Sequence, residues 1–243
     1  MNALYDTIGK GYANHRQADP HIAAVILDAL GDAQSVVVAG TGSYEPRDRH
    51  VVAVEPAATM IAQRVPGAAE VIQGSAEKLP FADKSFDAVT AFLTTHHWFD
   101  LDAGLREMAR VSLGPCIFLD HDMGDLRFRL LDDYFPDMAH HLKALLPLDA
   151  ARAAFDIVET VPVPVPHDCT DGFLCAYWQR PHAYLDANVR AAISFFAIAN
   201  DVEMRIVRLR CDVDDGTWMR RNGHILNEAE RDFGYRLVVA EMG

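Results

Sequence analysis

The segment Thr94-Thr95-His96-His97-Trp98 sets two adjacent imidazoles directly behind an apolar run, residues 86–93. Histidine titrates near neutral pH, so an imidazole there can take a proton from a hydroxyl or amine during group transfer. The competing reading is that one histidine caps the next helix and the other contacts a bound ligand, with Trp98 packed against it. A second chemical feature lies upstream. Val36-Val37-Val38-Ala39 breaks into Gly40-Thr41-Gly42, and a further run, Val51-Val52-Ala53-Val54, ends at Glu55. A β-branched run that stops at Gly-Thr-Gly predicts a buried parallel strand turning tightly past a ligand. Glycine supplies the unusual backbone angles and a bare main chain for the ligand to lie on. A carboxylate at the tip of the next strand sits where a nucleoside ribose places its two hydroxyls; it accepts hydrogen bonds from both and repels a 2′-phosphate.

Other polar clusters point less clearly to chemistry. His121-Asp122 follows another apolar run, and His167-Asp168-Cys169 stands behind Pro166. Neither contains an i, i+4 ligand pair, so loop capping is the expected role and no metal is assigned. His140-His141 reads as a solvated helix face.

The elements that must position these residues alternate. Asp19-Pro20 followed by Ile22, Val25, Ile26 and Leu30 predicts an amphipathic helix ending at Gly31. Strands are expected at Ser35–Ala39, His50–Glu55, Glu70–Gln73, 86–93 and 116–120. Between the last two, Leu101, Leu105, Met108 and Val111 mark a helix that Gly114-Pro115 breaks. Such alternation implies a parallel, doubly wound sheet with its ligand beyond the carboxyl ends of the strands. The stretch from Gly42 to the second strand is short and contains Pro46, so a helix there is one turn or absent. Residues 157–161 and 235–240 read as a sixth and a seventh strand. Valine alternates with proline over 161–166, which limits that piece to an edge strand or an extended connector.

About seventy residues separate the last two strands, too many for a plain loop in a compact domain. They hold Phe173, Tyr177, Trp178, Tyr184, Phe195, Phe196 and Trp218, mostly at helical spacings. The reading is a helical cap over the ligand crevice, suited to a compact, partly apolar substrate. The plainer reading is that these aromatics bury the insertion's own core. A second lid element is expected around residues 126–146.

A chain of 243 residues, half of them hydrophobic, can bury one large α/β core with an insertion. No uninterrupted apolar run approaches the ~20 residues of a membrane helix, and Met1-Asn2-Ala3-Leu4-Tyr5-Asp6 lacks the regions of a signal peptide. A formal charge of −13 argues against a broad nucleic-acid surface. Cys116, Cys169, Cys175 and Cys211 form no C-x-x-C pair, so neither a zinc knuckle nor a disulfide framework is suggested. The expectation is a soluble cytoplasmic protein with reduced thiols, a small-molecule substrate, and no nucleic-acid or membrane partner.

Two further segments complete a pattern: Gly74-Ser75-Ala76-Glu77-Lys78-Leu79-Pro80-Phe81 and Ser85-Phe86-Asp87-Ala88-Val89. With the glycine turn and Glu55, they stand in the order and spacing that resemble the class I S-adenosylmethionine-dependent methyltransferases, particularly the small-molecule branch. The likeness is clear over residues 19–120. The N-terminal pattern Tyr5-Asp6-x-x-Gly9-x-Gly11-Tyr12-x-x-x-Arg16 supports it. One departure is visible, because Val38-Ala39 stand where the family has an acidic or polar residue and its first glycine.

The resemblance implies a Rossmann-like, doubly wound α/β sheet of seven strands, mostly parallel, with an antiparallel last strand and a helical cap insertion. It makes 1–243 a single domain, with caps at approximately 125–147 and 167–230. It implies S-adenosyl-L-methionine as cofactor, held by Ala39, Gly40, Thr41 and Gly42 in the turn, and by Glu55, Pro56 and Met60 after the second strand. Gly74, Ser75, Ala76 and Glu77 would pass the adenine, and Thr94 and Thr95, after the fourth strand, would also contact the cofactor. Tyr12 and Arg16 belong to a segment that closes over the cofactor in such enzymes, where Arg16 can pair with the methionine carboxylate; an ordinary surface salt bridge is its competing role. His96 and His97 are the candidate catalytic bases. Two alternatives stay open: a methyltransferase-like protein whose altered loop binds a ligand without methyl transfer, and a nicotinamide-dependent oxidoreductase.

Overall fold

The computed structural model describes residues 5–6, 9, 11–121, 127–138 and 148–243. Asp122, His140, His141 and both ends of the 125–147 segment lie outside them. The strands are β1 (Ser35–Ala39), β2 (His50–Glu55), β3 (Glu70–Gln73), β4 (Ala88–Phe92), β5 (Cys116–His121), β6 (Ile157–Pro162), β7 (Val165–Pro166), β8 (Glu230–Arg231) and β9 (Tyr235–Glu241). Seven of them form one sheet in the order β3-β2-β1-β4-β5-β9-β6. The pairings from β3 through to β5 are parallel, and β9 runs antiparallel to both β5 and β6. The predicted architecture is therefore the observed one. The valine-proline stretch behaves as its composition requires: β6 is the sheet's edge, and β7 pairs only with the two-residue β8.

Each inner strand buries both faces, and successive residues go to opposite sides. Val36, Val38, Val51, Ala53, Ile117 and Leu119 join one apolar cluster with the Pro20–Leu30 helix. Val37, Ala39, Val52, Val54, Cys116 and Phe118 join the other with Leu105, Met108 and Val111 of the Leu101–Val111 helix. Both helices are capped as their sequences suggest. Asp19 accepts hydrogen bonds from the His21 and Ile22 amides, with Pro20 in the first turn, and Asp100 accepts from Ala103 N. Asp87 of the Ser85-Phe86-Asp87 motif clips the start of β1, accepting from Gln34 N, Ser35 N and Ser35 Oγ at 2.8–2.9 Å.

The insertion between β6 and β9 is largely helical, with helices at Ala187–Ala191, Ser194–Ile198, Val202–Asp214 and Thr217–Asn222. Phe173, Trp178, Tyr184, Phe195, Phe196 and Trp218 are buried in the same cluster as one sheet face, so in this structure they build core. Tyr177 is half-buried against it. No helix among the described residues is long and apolar enough to cross a membrane.

Candidate active site

At the carboxyl end of β1 the chain turns at Gly40 with φ +102°. A Cβ there would lie 2.8 Å from the Thr94 hydroxyl oxygen, so the turn needs glycine twice over, for its backbone angle and for its closeness to β4's exit. A Cβ on Gly42 would meet nothing within 4 Å, which leaves bare main chain on the open side. No helix forms between Gly42 and β2, as Pro46 and the short spacing predict.

Glu55 closes β2 and is 5% exposed. Its Oε2 accepts from Thr41 N at 2.9 Å and Thr41 Oγ1 at 2.7 Å, and its Oε1 accepts from Ala57 N at 2.8 Å. A carboxylate offers about four acceptor positions. Oε2 is therefore filled, while Oε1 keeps one acceptor position. The carboxylate fixes the glycine turn.

The remaining predicted residues divide. Gly74 N donates to Glu55 O, and Ala76 is buried beside Val54 and Leu79 in the second cluster. Ser75 closes a tight bridge to Lys78. Met60 packs with Tyr12 and Ala57, and Pro56 O accepts from Gln73 Nε2. Glu77 turns away, its Oε1 accepting from Phe99 N at 2.8 Å, and so holds the loop before the Leu101–Val111 helix. A cavity of about 1000 Å³ runs along the 42–50 connection, between the Pro20–Leu30 helix and residues 63–69. Tyr12, Arg16, Thr41, Gly42 and Met60 line it, whereas Glu55 and the histidine pair do not.

Arg16 makes neither a surface bridge nor a free fork. Its Nε and Nη2 donate to the two oxygens of Asp171 at 2.6 and 3.3 Å, and its side chain is 7% exposed. Burial opposes its charge, yet Asp171 keeps the guanidinium firmly cationic. Ser43 Oγ donates to the same carboxylate, the Gly172 amide donates to His15 O, and Arg16 lies 4.9 Å from the Tyr12 ring centroid. Asp171 thus ties the N-terminal segment, the glycine loop and the insertion together.

Strand β4 stops at Phe92 because Leu93 takes a left-handed φ of +53°. That bend swings Thr94–His97 across the end of β5, where Asp120 is fully buried. Asp120 Oδ2 accepts from Thr95 Oγ1 at 2.6 Å and pairs with His96 Nδ1 at 2.9 Å, and its Oδ1 accepts from His121 N at 2.9 Å. Burial works against the Asp120 charge, but His96 and His121 hold the carboxyl below its usual range. The His96 and His97 ring centroids are 4.0 Å apart, and Tyr5 reaches His97 Nε2 at 3.4 Å. Burial, with the neighbouring His96 adding to it, pushes His97 down to about 3. His97 is therefore neutral at physiological pH. Asp120 and Asp171 were not among the predicted site residues; Asp120 left a signal, since it follows directly on the apolar run 116–119.

The depressed His97 pKa carries a stability consequence. Its unfolded value is about 6.5, so the unfolded chain binds a proton that the native state refuses. Stability from this group is intact above pH ~6.5 and is lost as pH falls toward 3. Between pH 6.5 and 5 the loss amounts to about 1.5 kcal/mol. His97→Asn should flatten that slope in urea denaturation, and an equally steep slope in the variant would exclude His97 as its source.

A family pattern described as a methyltransferase domain matches residues 36–114. The crystal structure of a protein from Anabaena variabilis ATCC 29413, which carries the name of a methyltransferase from an antibiotic biosynthesis pathway, is 34% identical, with a TM-score of 0.85 over 94% of this chain and 99% of that one. A demethylmenaquinone methyltransferase of Mycolicibacterium vanbaalenii is 40% identical over 89 residues, 36% of each chain. The uncharacterized methyltransferase YcgJ of Bacillus subtilis is 42% identical over 65 residues, 27% of this chain and 22% of that one. The chain thus aligns with well under half the length of these two curated relatives. The 34% identity with the Anabaena protein over nearly the full length of both chains, the matched domain pattern and the β3-β2-β1-β4-β5-β9-β6 sheet agree, and the chain belongs to the class I S-adenosylmethionine-dependent methyltransferase family.

Proposed function

We propose that this protein transfers a methyl group from S-adenosyl-L-methionine to a small-molecule acceptor. The observation that carries the reading is the Gly40–Gly42 turn facing the buried Glu55, with spare acceptor capacity on Glu55 Oε1. These residues fit the cofactor: bare main chain at Gly42, a carboxylate for the ribose, and the Arg16 cation, already paired with Asp171, at the cavity wall beside the turn. When bound, the cofactor supplies an electrophilic methyl carbon on a sulfonium. The protein's contribution is alignment, worth about 7–11 kcal/mol as an entropy trap, and His96 stands ready for an acceptor that must lose a proton.

The insertion reads as a cap over this crevice, since Asp171 and Gly172 grip the Tyr12–His15 segment at the cavity wall. Four free cysteines, three of them buried, suit a reducing cytoplasm, and the charge of −13 disfavours a nucleic-acid partner. The antiparallel β9 takes support from the nicotinamide reading. Thr41 on Glu55 Oε2 favours a second reading, in which the altered loop binds ligand without methyl transfer.

Calorimetry separates these. S-adenosylmethionine and its demethylated product should both bind with one site per chain, and NADH should not. A folded protein that binds neither sulfur compound overturns the proposal, and binding without turnover on any acceptor leaves the second reading.

A further inference from the structure

We propose that the cavity along the 42–50 connection binds a small amphipathic anion, an apolar chain ending in a carboxylate. This site is separate from the methyl-transfer reading and goes beyond it. β1 and β2 lie side by side and parallel, and only ten residues, 40–49, join them. A connection between parallel strands ordinarily takes a dozen residues or more and lays a helix over the sheet. This one is too short and contains Pro46, so no helix covers that face between the Pro20–Leu30 helix and residues 63–69. What remains is the cavity of about 1000 Å³, at the upper end of the range for small-molecule sites. Glu55 and the histidine pair do not line it.

The lining chooses the ligand. The Pro20–Leu30 helix contributes Ile26 and Leu27, β2 contributes Val51, and the stretch before β3 contributes Val65 and Ala68. Leu27 and Val65 are 39% and 52% exposed, so two large apolar side chains of one cavity stand in water. Covering both with an apolar chain is favourable through the hydrophobic effect. Charge supplies the polarity. Arg16, Arg47, Arg49 and Arg64 line the cavity against only Glu45 and Asp48, in a chain whose formal charge is −13. Three of the four are engaged: Arg16 with Asp171, Arg49 with Asp48 and Arg64 with Glu45. Arg47 is exposed and makes no ion pair among the described residues. One uncommitted guanidinium matches a singly charged carboxylate, whereas a phosphate dianion calls for a second free cation. The carboxylate therefore sits at Arg47, and the chain lies against Leu27 and Val65.

Calorimetry with decanoate, kept below its micelle concentration, should show one site per chain. Decanol should bind several-fold more weakly, and acetate and decyltrimethylammonium not at all. Arg47→Ala should weaken decanoate by about 3- to 5-fold, the scale of an exposed ion pair, and leave decanol unchanged. Leu27→Asp should weaken both by about tenfold, and Val65→Asp repeats that test on the opposite side. All three positions are solvent-exposed, so each variant should keep a native melting transition. Backbone amide NMR shifts on adding decanoate should centre on residues 44–50 and 63–69, with the cofactor's product bound or not. Equal affinity for decanol and decanoate, with Arg47→Ala silent, overturns the anionic class. Binding that both aspartate variants leave intact, or that the cofactor's product abolishes, puts the probe elsewhere and overturns the site. Several weak sites per chain, or no binding, overturn it as well. None of these readings uses turnover, so a failure here leaves methyl transfer untouched.

Discussion

Replacing Asp171 with alanine should cost about 3–5 kcal/mol of stability, the usual penalty for stranding one member of a buried ion pair. The carboxylate is fully buried, and it is the partner of the two Arg16 nitrogens that its geometry engages. Its removal leaves a guanidinium with 7% side-chain exposure facing no anion. The loss also releases Ser43 and loosens the backbone contact between Gly172 and His15. For a chain of this size the drop corresponds to roughly 6–20 °C in Tm, read by thermal or urea denaturation. A paired Arg16→Met, Asp171→Leu variant should recover most of the stability, since replacing both ions with apolar groups is often neutral. It should not recover affinity for the cofactor's product, because the cavity wall then lacks its cation. An Asp171→Ala protein within about 0.5 kcal/mol of the parent would mean that water replaces the carboxylate and that the knot is not what joins these three segments.

Why some of this was legible in the sequence and some was not follows from the range of the interactions involved. β1, β2 and β3 match their predicted spans because a buried strand between helices is a continuous apolar run with polar or glycine ends. The fourth strand is shorter than its apolar run. Phe86 makes only an isolated bridge to Ser112, and Leu93 bends left-handed while still donating to Leu119 O. Hydrophobicity reports burial, and both residues lie against the core without being ladder residues. The place of Glu55 at the end of β2 was readable because it is set by one strand and one turn. Asp120 follows directly on the apolar run 116–119, but its meaning depends on His96 arriving from the neighbouring strand's exit. Arg16 and Asp171 are 155 residues apart, so no local pattern connects them. The aromatic insertion showed its helical spacing plainly. What spacing cannot say is which side those rings face, and here they complete the core over the sheet.

Glu55 offers the sharpest test of the cofactor site. Glu55→Ala should weaken binding of the cofactor's product by about 1.5–3 kcal/mol, or about 10- to 150-fold in Kd, through loss of charge-assisted hydrogen bonds. Glu55→Gln should be nearly as damaging, and the reason is geometric. Both carboxylate oxygens already accept from backbone amides, Oε2 from Thr41 N and Oε1 from Ala57 N. A glutamine must point its amide nitrogen at one of those N–H groups, so a donor meets a donor and the turn at Gly40–Gly42 loses its fastening. Thr41→Val removes only the hydroxyl bond to Oε2 and frees that position for the second ribose hydroxyl. Its affinity should therefore stay within a few-fold of the parent. Isothermal calorimetry on the three variants, each checked for a native melting transition, reads all of this directly. A Glu55→Gln protein that binds like the parent would show that neither charge nor a second acceptor oxygen matters, and the adenosine would then have to be held elsewhere along the sheet's carboxyl edge.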